Sequence, residues 1–264
     1  MNDLYGLQRG EAPLLISIPH LGTHIPTDLR DRYSDVALTL VDTDWHLDRL
    51  YDFAAELGAT VLGARISRYV IDLNRPPNDE SLYPGQTTTG LCPRETFRGE
   101  PVYRNGCEPD AAEKQGRVEK YWQPYHATLT AELARLREQH KNVLLWEAHS
   151  IASVLPRLFD SKLPDFNLGT QDGRTAAAAV QHAAESAAAA GEFTWVANGR
   201  FKGGYITRHF GSPQAGIHAI QLEMCQSTYM NEVSPFNYDE ARAAKVQPVV
   251  RRMVEASLHA VQAL

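Results

Sequence analysis

Three short stretches of this chain carry the side chains that chemistry uses: "SIPHLGTHIP" (17–26), "LLWEAHS" (144–150) and "AIQLEM" (219–224). Each begins like a buried strand and ends in polar groups, His20 and His24 in the first, Glu147 and His149 in the second, Gln221 and Glu223 in the third. A chain that only needed to turn would do so with Gly, Asn or Asp. His20 and His149 suit a divalent metal, because neutral imidazole is the commonest ligand for zinc, and a catalytic zinc site takes three protein ligands and keeps a position for water. The third donor should be His, Asp or Glu, and "VDTDWHLD" (41–48) offers Asp42, Asp44, His46 and Asp48. Asp42 or Asp44 could equally cap a helix N-terminus. His24 is open as a ligand, a substrate contact or a surface residue. Glu147 shares a strand face with His149 and could orient it or satisfy an arginine. A carboxylate such as Glu223, ending an apolar strand, is costly unless it is used or paired. Beside a metal-activated water it is the general-base candidate; otherwise it is a structural ion pair.

Those groups must be positioned by the elements before them. Apolar runs predict strands over 13–18, 59–64, 68–73, 142–148, 165–170, 193–197 and 217–224. Most are continuous rather than alternating, as expected of a sheet covered on both faces. Helical patterns cover 44–57, 110–139 (with Pro124 as a break or kink), 173–190 and 239–262. The alternation predicts an α/β fold, one domain over 1–264 with a mixed, mostly parallel central sheet flanked by helices. In such sheets ligands bind outside the carboxyl ends of the strands. If the strands are parallel neighbours, His20, Asp72, Asn74, Arg75, Glu147, His149 and Glu223 converge on one edge. Two long loops follow strands. Segment 74–106 holds Arg75, Arg94 and Arg98, and 198–213 is glycine-rich with two arginines and a lysine. A loop of the first one's length is expected to face substrate.

Composition excludes several classes. The net charge is −6 and no basic block of five residues occurs, so nucleic acid is not an expected partner. No run of eighteen apolar residues predicts a membrane span, and the N-terminus does not read as a secretory signal. Three dispersed cysteines, Cys92, Cys107 and Cys225, make neither a disulfide framework nor a Cys-type zinc site. The expectation is a soluble cytoplasmic protein.

Taken in order, "SIPHLGTHIP", "DTDWHLDRLY", "YVIDLNRPP", "LYPGQTTTGLCP", "LLWEAHSI", "FKGGYITRHFG" and "IQLEM" resemble the N-formylglutamate amidohydrolase (deformylase) family over nearly the whole chain. That family is distantly similar to the zinc carboxypeptidases and aspartoacylases. The resemblance implies a zinc-carboxypeptidase-like α/β fold. It implies hydrolysis of N-formyl-L-glutamate to formate and L-glutamate in histidine degradation, with a divalent metal ion, zinc by expectation. Residue by residue, His20 matches the first metal ligand, His149 the last, and Glu223 the catalytic glutamate. Asn74 and Arg75 match a pair that holds a substrate carboxylate. One position departs: carboxypeptidases carry a ligand Glu three residues after the first His, and here that residue is Thr23. Asp44 is raised as the replacement. Two substrate carboxylates call for arginines as bidentate donors, with Arg75, Arg208, Arg94 and Arg98 the candidates in that order. Arg75 is expected on the α-carboxylate and Arg208 on the side-chain one, while His24 or an arginine could hold the oxyanion. The rival readings are a deacylase of another N-acyl amino acid, a cysteine amidase and a non-catalytic binding protein on the same fold. The sequence leaves the oligomeric state open.

Overall fold

In a computed structural model, residues 4–82 and 85–264 are described. Tyr83 and Pro84, within the quoted "LYPGQTTTGLCP", lie outside them. Seven strands form one sheet: β1 (Tyr5–Gln8), β2 (Leu14–Ile18), β3 (Thr60–Ala64), β4 (Val143–Ile151), β5 (Phe166–Gly169), β6 (Trp195–Ala197) and β7 (Ile217–Cys225). Their spatial order is β1-β3-β2-β4-β7-β5-β6. The pairs β2/β3, β2/β4, β4/β7 and β5/β6 are parallel, whereas β1/β3 and β5/β7 are antiparallel. The sheet is therefore mixed and mostly parallel. No helix among the described residues is long and apolar enough to cross a membrane.

The helices are α1 (Thr27–Arg30), α2 (Leu47–Leu50), α3 (Ala111–Arg117), α4 (Gln123–Gln139), α5 (Ala178–Ala189), α6 (Tyr205–Phe210) and α7 (Glu240–Gln262). They cover both faces. On one, Leu14, Ile16, Leu144, Trp146 and Leu222 pack under α5 and α7. On the other, Leu15, Val143, Leu145 and Ala219 pack under Tyr125, Leu129 and Leu133 of α4. Both faces being dry explains the continuous apolar runs. The second face changes character along its length. On β4, Val143 and Leu145 give way to Glu147 and His149; on β7, Ala219 gives way to Gln221 and Glu223. A face that is apolar beneath the helix and polar at its carboxyl end marks where the site begins.

Several expectations change. Residues 68–73 are buried but do not form a strand. Side chains, not a neighbouring strand, take several of the carbonyls of 69–75. Tyr33 and Tyr103 hydroxyls donate to Tyr69 O, Arg117 Nη1 to Val70 O (2.8 Å), His126 Nε2 to Leu73 O (2.8 Å) and Trp122 Nε1 to Arg75 O (3.0 Å). The helix expected over 44–57 is only α2 followed by a 3₁₀ turn at Asp52–Ala54. The expected break in 110–139 is a π turn at Val118–Trp122, just ahead of Pro124, whose missing N–H removes a helical hydrogen bond. The second long loop contains α6. Segment 74–106 carries no helix or strand among its described residues. The short β1 escaped the sequence reading.

Candidate metal and catalytic centre

The site is assembled by backbone register before any side chain interacts. In the β4/β7 ladder His149 lies opposite Glu223, and in the β2/β4 ladder Ser17 lies opposite Glu147. His20 follows β2 by two residues. The backbone N–H of Asp44 donates to His20 O (3.1 Å), which fastens the two loops together. Ser150 N then donates to Asp44 Oδ2 (3.1 Å), tying the same loop to the end of β4. Gly22 makes the turn possible, since a Cβ there would fall 2.1 Å from Ile66 O.

His20, Asp44 and His149 each offer a donor atom, all within 4.8 Å of one another, and all three residues are buried. The two imidazole rings are 4.8 Å apart between centroids. His149 Nδ1 faces Asp44 Oδ2 at 3.1 Å, and His20 Nδ1 lies 3.7 Å from the same oxygen. The other nitrogen of each ring meets a carboxylate: His20 Nε2 is 2.7 Å from Asp72 Oδ1, and His149 Nε2 is 3.1 Å from Glu147 Oε1. Each ring thus turns its Nδ1 toward Asp44; His20 Nδ1 also lies 3.2 Å from Arg68 Nη1, and carboxylates on the far nitrogens orient both rings. Asp44 Oδ1 is buried without a hydrogen-bond partner among the described residues, with the Arg68 guanidinium 3.8 Å away.

The charge balance also suits a cation. Five buried carboxylates, Asp42, Asp44, Asp72, Glu147 and Glu223, accompany one buried guanidinium in and around the cluster, Arg68, whose Nη2 donates to Asp72 Oδ2 at 2.8 Å. Burial alone pushes carboxyls up, and it raises Glu147 and lifts Glu223 to about 8. Burial opposes the charged form of His149, but hydrogen bonds to Asp44 and Glu147 outweigh it and raise the imidazole to about 10. Asp44 and Asp72 are held below the ordinary carboxylate range, because the histidines, with Arg68 beside Asp72, overcome the burial cost. The cluster thus draws in protons, the positive charge that a divalent ion would otherwise supply. The residues fit such an ion.

A cavity opens over this cluster. Its wall includes His20, Arg68, Asn74, Arg75, His149 and Glu223 together with Thr87–Thr89, Phe97, Ile151, Leu158, Arg200, Phe201 and Gln221. Asn74 Nδ2 reaches His149 Nε2 (2.9 Å) while its Oδ1 accepts from Ile206 N (2.8 Å), so the amide links the site to α6. Gly204 permits that approach, as a Cβ there would lie 2.3 Å from Asn74 Nδ2. Three expected residues lie elsewhere. Arg208 does not line the cavity; its Nε donates to Gly203 O and its Nη1 to Leu82 O. Arg94, like Arg98, is exposed and outside the wall. His24 is exposed and lines a separate groove with residues of β1, β3 and α2. Asp42 accepts from Phe97 N (2.8 Å) and is not one of the three clustered donors. Sequence reasoning missed Arg68 and Arg200. A lone arginine four residues before Asp72 in an otherwise apolar run was the signal for the first, as that spacing suits an ion pair.

An α/β sheet that gathers a buried His/Asp/His cluster and a carboxylate at its carboxyl edge has the equipment of a hydrolase. The chain belongs to the N-formylglutamate amidohydrolase family, whose model matches residues 12–230. It is 49% identical to the N-formylglutamate deformylase of Pseudomonas putida and 48% identical to that of Pseudomonas aeruginosa, in each case over 98% of this chain and 97% of the relative. The crystal structure of N-formylglutamate amidohydrolase from Ralstonia eutropha JMP134 superposes with a TM-score of 0.82 at 25% identity, covering 99% of this chain and 98% of the other.

Proposed function

We propose that this protein is a metal-dependent deformylase that hydrolyses N-formyl-L-glutamate to formate and L-glutamate, as the names of its relatives indicate for them. The observation that carries the reading is the His20/Asp44/His149 cluster with Glu223 paired across the ladder from His149. Those three residues would hold a divalent ion, and imidazole with carboxylate donors suits zinc. Such an ion supplies Lewis-acid chemistry, polarising a carbonyl and making a water acidic near neutral pH. Asp72 and Glu147 orient the two imidazoles. Glu223 takes a proton from the attacking water and passes it to the departing amine nitrogen as the C–N bond breaks. Arg68, its Nη1 3.8 Å from Asp44 Oδ1, stands where a guanidinium can hold the developing oxyanion. Arg75, next to Asn74, receives the α-carboxylate. The three free cysteines, Cys92, Cys107 and Cys225, suit a reducing cytoplasm.

Formate release from a panel of N-acyl amino acids, run with elemental analysis and with and without a chelator, tests the proposal. The expected result is bound metal near one equivalent, strongest activity on N-formylglutamate, and loss of activity on chelation that added zinc restores. Activity that survives removal of the metal, or is blocked by thiol reagents instead, would rule the mechanism out.

The hydrogen bonds onto segment 70–75 make a separate prediction. Trp122 Nε1 holds the carbonyl of Arg75 itself. Trp122→Phe keeps most of the packing and loses that bond, worth about 1 kcal/mol net, so KM is expected to rise roughly fivefold with kcat nearly unchanged. A fall in kcat at constant KM would mean that Trp122 does not act through Arg75.

A further inference from the structure

We propose that Arg200, not Arg208, reads the distal side-chain carboxylate of the substrate, with the Thr87–Thr89 segment forming the wall between it and Arg75. This rests on the deformylase reading above. A substrate carrying two carboxylates, enclosed beside Phe97, Ile151, Leu158 and Phe201, must find a cation for each, because an unpaired charge there is costly. Glu223 is the one carboxylate side chain among the described lining residues other than the metal-type cluster, and three arginines share that wall. Arg68 is paired with Asp72, but Arg75 and Arg200 still outnumber Glu223 on this wall, so the wall suits an anionic substrate.

The three arginines divide by position. Arg68 is buried against Asp72, His20 and the ring of Phe97, 4.6 Å from its centroid, and belongs to the reacting end. Arg75 follows Asn74, whose amide touches His149, so it stands beside the reacting end as well. That suits the α-carboxylate, which sits on the carbon bearing the amide nitrogen. Arg200 remains for the far carboxylate. Its Nε donates to Leu158 O (3.3 Å) and its Nη2 to Thr87 O (3.1 Å), and its guanidinium lies 5.4 Å from the centroid of Phe201. Arg75 Nε donates to Thr89 O (2.9 Å). The two guanidinium groups thus grip the same three-threonine segment from its two ends. The carbonyls of Thr89, on Arg75, and of Leu158 and Thr87, on Arg200, position the two guanidinium groups before substrate arrives, which lowers the ordering cost of binding. Thr89 Oγ1, buried without a hydrogen-bond partner among the described residues, adds a hydroxyl donor to this wall.

The test compares N-formylglutamate with N-formylglutamine, nearly equal in shape but lacking the charge, on wild type, Arg200→Gln, Arg200→Lys and Arg208→Ala. Wild type is expected to favour the acid by roughly 100-fold or more in kcat/KM, as a site built for a polar group rejects the analogue lacking it. Arg200→Gln is expected to bring that ratio within about tenfold, almost wholly through slower hydrolysis of the acid. Arg200→Lys keeps the charge without the fork and should fall between, and it decides the matter if the Gln variant does not fold. Arg208→Ala should keep the wild-type ratio. A ratio unchanged in both Arg200 variants, equal slowing of both substrates, or a wild type indifferent to the charge overturns the assignment. Wild type that releases formate from neither substrate instead overturns the deformylase reading, and the assignment with it.

Discussion

Glu223→Gln is expected to lower kcat by at least about 100-fold, the range over which a positioned acid–base group acts, while the protein keeps its metal and its affinity for substrate. The substitution is nearly isosteric on a strand buried along its length, so β7 and its pairing with β4 have no reason to change. Glutamine cannot accept a proton from water at neutral pH or return one to the departing nitrogen. Kinetics alone would not separate a base from a ligand, so elemental analysis is run on the same sample. Metal lost in step with activity would make Glu223 a ligand. Full metal and near-normal kcat would move the base elsewhere in the cavity.

The second large effect is expected at Asp44. Asp44→Asn removes the charge between the two Nδ1 atoms and leaves the Ser150 N–H with a neutral acceptor. Metal content after dialysis should fall to a small fraction of an equivalent, and activity should fall with it and recover partly in excess zinc. Asp72→Asn is the control. The Asp72 carboxylate meets His20 Nε2, Arg68 and the backbone N–H of Asn74, and the substitution should weaken metal affinity by about 10–100-fold, as removing an orienting partner does. Equal metal retention in both variants would mean that another group completes the donor set.

The central strands were legible because their physics is local. The runs around 143–151 and 217–225 are buried on both faces, and strand ends that switch from Leu145 to Glu147 and His149 announce themselves. His20, His149 and Glu223 followed directly. Asp44 was reached only by elimination, since its place depends on a backbone bond to His20 O that no spacing encodes. Residues 68–73 carry strand composition but not strand geometry, because Arg117, Trp122 and His126, distant in sequence, supply the partners that a neighbouring strand would have given. The place of Arg208 was hidden for the same kind of reason. It follows Gly203 and Gly204, which read as a loop, and α6, unforeseen, places it outside the cavity wall.

The pairing of His149 with Glu223 has a dynamic consequence. Both residues sit on the two strands at the middle of the sheet, each with a ladder on either side. Fluctuations that separate them must break the β4/β7 ladder, which costs more than moving a loop. The Thr87–Thr89 wall has no ladder and is held by side-chain bonds from Arg75 and Arg200. It can open at a small fraction of that cost. The His149/Glu223 pair is therefore the rigid part of the site, and the breathing that admits substrate and releases glutamate falls first to the rim that selects it.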